Sequence, residues 1–139
     1  MSVSKVFVAR LANCGVFDPD GLRIGKVRDV IVVFRAAHAP RVNGLAVEVP
    51  GKRQIFIPIK QITSIGSAQI IADGVVDLRR FEQRGEEVRL IGEIIGRRVT
   101  FADGSGAGTI DDVSIEQDDA DDWNVGQLFL RLPLSLIHI

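Results

Sequence analysis

Apolar residues in this chain fall into short β-branched runs rather than helical stripes. Ile24 to Phe34 is dense in valine and isoleucine, which suit a pleated, half-buried surface. Its period is irregular: Ile24, Val27 and Val30 are three apart, after which Val30, Val32 and Phe34 alternate. A bulge near Arg28-Asp29, or burial on both faces, produces that change of step. Val42 to Val49 alternates, with Leu45, Val47 and Val49 on one face, and Pro50-Gly51 is a pair preferred in type II turns. Ile55, Ile57 and Ile59 alternate again, and Pro58 marks an edge or a strand end. Ile62 to Ile65 and Gln69 to Ala72 read as short strands, Val16-Phe17 as a strand end, and Asp18-Pro19-Asp20-Gly21 as a turn. Arg35 to Pro40 reads as a loop. Five or six short antiparallel strands in about sixty residues must curl to bury one face, which predicts a small barrel. Asp77 to Arg84 carries helix formers behind an N-cap candidate, Asp77, and predicts a short helix.

The pattern then repeats. Asp20-Gly21-Leu22-Arg23-Ile24-Gly25-Lys26-Val27-Arg28-Asp29-Val30-Ile31-Val32 aligns without a gap on Asp103-Gly104-Ser105-Gly106-Ala107-Gly108-Thr109-Ile110-Asp111-Asp112-Val113-Ser114-Ile115. The offset of 83 also pairs Leu11 with Ile94, Val16 with Val99, Val42 with Val125, Leu45 with Leu128 and Val47 with Leu130. A constant offset over that span means two copies of one structural unit. Strands are predicted again at Thr109 to Ile115 and Val125 to Arg131. The organisation expected is a first barrel over 1–72, a helical linker over 73–93, a partial second barrel over 94–131, and an unrelated apolar tail over 132–139. The fold class is mainly β: tandem small barrels joined by a short helix, the second incomplete and the sequence truncated.

Charge divides the copies. Residues 1–60 hold 10 Lys+Arg against 4 Asp+Glu, and the remainder holds 7 against 14. Such halves can attract each other or choose different partners, or surface charge has simply drifted. Cys14 stands alone, so no intrachain disulfide forms and a reducing, cytoplasmic setting is expected. No stretch is long enough to span a membrane, and no signal peptide is visible.

The repeated residues suit architecture. Gly21 and Gly104, and Gly25 and Gly108, fit turns and close strand approach. Asp29 and Asp112 each precede a valine, where a carboxylate can accept backbone N–H bonds at a bulge. Asp20 and Asp103 complete this structural motif. Glu116, Asp118, Asp119, Asp121 and Asp122 offer oxygens to a hard cation such as Mg²⁺, but without EF-hand spacing, and a solvated hairpin loop is the plainer reading. Arg23, Lys26, Arg28, Arg35, Arg41, Lys52, Arg53 and Lys60 could form one basic face. Phe34 and Phe56 sit in core-like alternation, so the stacking aromatics that nucleic acid wants are missing. Trp123 suits a barrel plug or an interface. His38 has no predicted partner and His138 lies in the tail, so no nucleophile–base pair assembles and no enzyme is expected. No cofactor is called for.

The element Asp-Gly-x-x-h-Gly-x-h-x-Asp-Val-x-h, where h is mostly apolar, resembles the PRC-barrel family. That β-barrel domain is shared by the photosynthetic reaction-centre H subunit and the ribosome-maturation factor RimM. Its flanks, Met1 to Leu11, Val47 to Pro58 and Leu78 to Arg84, are similar to the start of actinobacterial-type PRC-barrel proteins. Those continue into a helical domain like the intracellular domain of MgtE magnesium transporters, followed by CBS domains. The resemblance implies a non-catalytic regulatory or protein-binding module of a larger magnesium-transporter-like protein, its partner another protein or its own downstream domains. The alternative is an RNA- or ribosome-associated factor of the RimM type, using the basic first copy. Oligomeric state stays open.

Overall fold

The computed structural model describes residues 5–66, 68–74 and 80–133. Its strands are β1 (Lys5–Phe7), β2 (Gly15–Phe17), β3 (Arg23–Arg35), β4 (His38–Val49), β5 (Arg53–Pro58), β6 (Ile62–Ile65), β7 (Gln69–Ala72), β8 (Glu87–Arg89), β9 (Arg98–Thr100), β10 (Ala107–Gln117) and β11 (Trp123–Arg131). Helical structure among the described residues is confined to single turns at Val8–Leu11, Ile59–Gln61 and Leu90–Ile94. All the strands belong to one mainly-β, nearly closed, barrel-shaped sheet. Its pairings are antiparallel except β2 with β7, which run parallel, against the all-antiparallel expectation.

The two aligned segments share backbone features. Both long strands carry their bulge at the same place: register shifts fall between Val27 and Asp29 in β3, and between Ile110 and Asp112 in β10. The irregular apolar period is that bulge, because one extra residue puts side chains three apart onto the same face. Gly21 (φ 89°) and Gly104 (φ 76°) both turn through the left-handed region that favours glycine.

The copies are laced together. β1 of the first copy pairs with β10 of the second, Val6 opposite Ile115. β8 of the second pairs with β3 of the first, Val88 opposite Val32. Each strand leads into a one-turn helix of four residues (Val8–Leu11) or five (Leu90–Ile94). The extra residue widens the second turn into a π-type turn. Leu11, Val16, Val30, Leu45, Ile55 and Ile70 from the first copy and Val113, Ile115 and Trp123 from the second share one buried cluster. Trp123 therefore lies in the core.

Four expectations fail locally. Phe34 is 58% exposed, because it sits at the end of β3 beyond the covered part of the sheet. The loop Arg35 to Pro40 closes instead as a tight turn at Ala36-Ala37, with Ala37 at φ 61°. The helix over Asp77 to Arg84 is absent from its described part. There Arg80 bridges to Ile55, Phe81 N–H donates to the Gln54 carbonyl at 2.7 Å, and the Phe81 ring stacks on Phe56. Pairing with β5 and burial of an aromatic outweigh helix propensity. Residues 87–93, expected in the helical linker, instead form β8 and all but the last residue of the π-type turn. Asp77 and the tail 134–139 lie outside the described residues.

Candidate functional site

The bulge aims Asp29 and Asp112 inward. Asp29, 5% exposed, accepts N–H bonds from Val30 at 2.8 Å, Ile91 at 2.7 Å and Gly92 at 2.9 Å. Asp112 accepts from Val113 at 2.8 Å and Ala9 at 2.9 Å. Ala9 and Gly92 are themselves repeat equivalents, so each aspartate holds the turn that follows the other copy's first strand. Burial pushes the Asp29 carboxyl above the usual carboxylate range, against the three N–H groups and the Arg89 charge. Both Asp29 oxygens and Asp112 Oδ1 are committed to backbone, an arrangement that positions chain rather than ligand.

The turn residues divide. Gly25 is confined by strand contact: a Cβ there would lie 2.1 Å from the Glu48 carbonyl oxygen. At Gly108 the nearest atom, the Arg131 carbonyl oxygen, is 3.3 Å away. Asp103 accepts the Ser105 N–H at 2.9 Å, and the Ser105 hydroxyl and N–H hold its carboxyl below the usual range. Its equivalent Asp20 has no such role. Asp18 closes that turn instead, accepting from Asp20 at 2.9 Å and Leu22 at 2.8 Å. Asp18 was legible as a turn opener, since aspartate bonds its own backbone two residues on.

The acidic loop is built like the Asp18 turn. Asp118 Oδ1 accepts from Ala120 at 2.9 Å and Asp122 at 3.0 Å, and Oδ2 takes the Asn124 amide at 2.9 Å. The Asp122 N–H is the main cause of a carboxyl held below its usual range. Asp122 pairs with Arg41 at 2.8 Å, and Glu116 accepts the Ser114 hydroxyl at 3.1 Å. Asp119 and Asp121 point to solvent. Among the described residues no three His, Cys, Asp or Glu side chains converge as metal ligands. Cys14 is buried, which pushes its thiol up and leaves it a poor nucleophile. His38 is exposed at the start of β4, and His138 lies outside the described residues.

Two concavities and one open face remain. A cavity of 610 Å³ opens where the segment Arg80 to Glu87 crosses β4 and β5, against the Phe56–Phe81 stack. A shallow cleft of 540 Å³ lies between the start of β3 and the β4–β5 turn. On β11, Leu128, Leu130 and the following Leu132 are 51%, 38% and 50% exposed. Their counterparts Leu45 and Val47 on β4 are fully buried. β5 explains the difference: it pairs with β4 from Gly44 to Val49, whereas the edge of β11 beyond Asn124 carries no strand among the described residues.

Comparison with known families follows this division. The PRC-barrel domain matches residues 4–79, β1 through β7 and beyond. The chain belongs to the PRC-barrel family. A second family, the actinomycetes SH3 domain, matches residues 88–136. No curated protein matches the chain. PRC-barrel and SH3 domains are usually non-catalytic modules. No helix among the described residues of this PRC-barrel chain is long and apolar enough to cross a membrane.

The basic residues of the PRC-barrel domain divide between the shallow cleft and the β3–β4 turn. Arg35 reaches the Ala39 carbonyl and Asn124 at the β3–β4 turn, and Arg41 is taken by Asp122. Lys26 and Arg28 flank Glu48 at 3.7 and 3.6 Å. Arg23, Lys26 and Lys52 line the shallow cleft, whereas Lys60 lies apart on the turn after β5.

Proposed function

We propose that this chain is a non-catalytic regulatory or protein-binding module, whose second PRC-like unit is completed by polypeptide that covers β11. The carrying observation is the row Leu128, Leu130 and Leu132, exposed on a strand whose first-copy equivalent is sealed by β5. An open strand edge with an apolar face favours an added strand: backbone pairing gives affinity and alternate side chains give specificity. In this reading the chain comprises two PRC-like units, one over 1–72 and a partial one over 94–131. It forms part of a larger cytoplasmic protein with MgtE-like and CBS domains, and the covering strand comes from those domains or from a partner protein. Gly21, Gly25, Asp29, Asp103, Gly104, Gly108 and Asp112 serve architecture in this reading, with Asp18 in the place expected of Asp20.

Amide exchange tests the reading. The amides between Val125 and Arg131 that point away from β10 should exchange fast in the isolated chain, because they lie on an open strand edge. The same amides should become protected in the protein purified from its source with its neighbouring domains or partners. Equal exchange rates in the two settings would sink the proposal.

A further inference from the structure

The cleft at the start of β3 fits a partner of definite chemistry. Gly25 lets β3 approach the Glu48 carbonyl closely, which sets Arg23 and Lys26 along one wall. The β4–β5 turn, with Gly51 at φ 90° and Lys52 at φ 59°, supplies the other wall and a third cation. Ile24, Val49 and Pro50 provide apolar lining, and Leu22, beside Arg23, is 69% exposed. Glu48 is the one carboxylate lining the cleft, and Lys26 and Arg28 already flank it. Among the described residues no ion pair involves Arg23 or Lys52.

The repeat supplies a control within the molecule. Arg23, Lys26 and Arg28 become Gly106, Thr109 and Asp111 in the second copy, Glu48 becomes Arg131, and Leu22 becomes Ser105. The turns and bulges match while this surface loses its cations and its exposed leucine. The combination is therefore not required by the fold.

We infer that this cleft docks an extended acidic segment of a partner protein, with carboxylates on Arg23 and Lys52 and an aliphatic side chain on Leu22 and Pro50. Charge complementarity selects the acidic partner. A nucleic acid is the poorer fit, because among the described residues no aromatic ring lines the cleft for bases to stack on. The inference rests on the reading of the chain as a protein-binding module but uses a surface separate from β11.

The test is fluorescence anisotropy of the full chain with a short labelled peptide of alternating glutamate and leucine. Saturable binding that weakens with salt is expected, since exposed charges are screened. Arg23→Glu combined with Lys52→Glu should weaken it by at least about tenfold, and Leu22→Ser by a smaller factor. Trp123 fluorescence checks that both variants fold. Leu128→Lys with Leu130→Lys should leave this binding unchanged, which separates failure here from failure at β11. Binding indifferent to the charge reversals overturns the proposal. So does equal affinity for an all-glutamate peptide, or for a single-stranded oligonucleotide.

Discussion

Leu45 and Leu128 occupy the same position of the repeat, yet the first is fully buried and the second is 51% exposed. Each of the strands that carry them pairs with a long strand bulged at the equivalent place, β3 or β10. What covers them differs: β4 has β5 beside it, and β11 has no equivalent among the described residues. Burial at a repeat position is thus set by which strands cover it, and not by the residue there.

The largest expected contrast follows directly. Leu45→Ala should destabilise the chain by about 2–5 kcal/mol, the range for emptying a core leucine site. Leu128→Ala should stay within about 0.5 kcal/mol, as at a surface position. Urea denaturation followed through Trp123 measures both, and similar losses would show that the β11 face is covered after all. A smaller contrast is expected at the paired aspartates. Asp29→Ala strands three backbone N–H groups and Asp112→Ala two, each unpaired buried group costing about 1–3 kcal/mol where water cannot reach it. Asp29→Ala should therefore be the worse variant. The reverse order would refute this account of the reciprocal latch.

Acid titration should give the smallest effect. Asp118, Asp103 and Glu93 have carboxyls held below their usual range, so what they contribute is lost as pH falls through those lowered values. Asp29 runs the other way. Its raised folded value means the native state holds that proton more tightly, so its charge weighs on stability as pH rises through the interval between the usual and the raised value. Asp29→Asn removes that counterweight and should lose stability more steeply than the parent on acidification. Denaturation midpoints across the carboxylate range decide it, and matching slopes would rule it out.

Much of the local structure was legible because it depends on neighbours in sequence. The three-residue step from Val27 to Val30 encoded the bulge, and Asp18-Pro19-Asp20-Gly21 encoded its turn. Asp29 could be read as a backbone acceptor, but not as the acceptor of Ile91 and Gly92. Local spacing carries no information on which copy's turn will lie beside it. Phe34 misled because its alternation continues past the point where the sheet is covered. The predicted helix misled because pairing of Arg80 and Phe81 with β5 is a contact between distant residues. Likewise Arg35 and Arg41 engage Asn124 and Asp122, partners that only the pairing of β4 with β11 reveals.

The pairing of β1 with β10 also has a consequence in time. On a ribosome adding about 5–20 residues per second, the strand made first waits on the order of ten seconds for its partner. During that interval Val6 lies open, as does the flank of β3 until β8 emerges. Two nascent chains on one messenger could each seat β1 in the other. Crowded synthesis should therefore leave a fraction of interlocked pairs that dilution alone cannot separate.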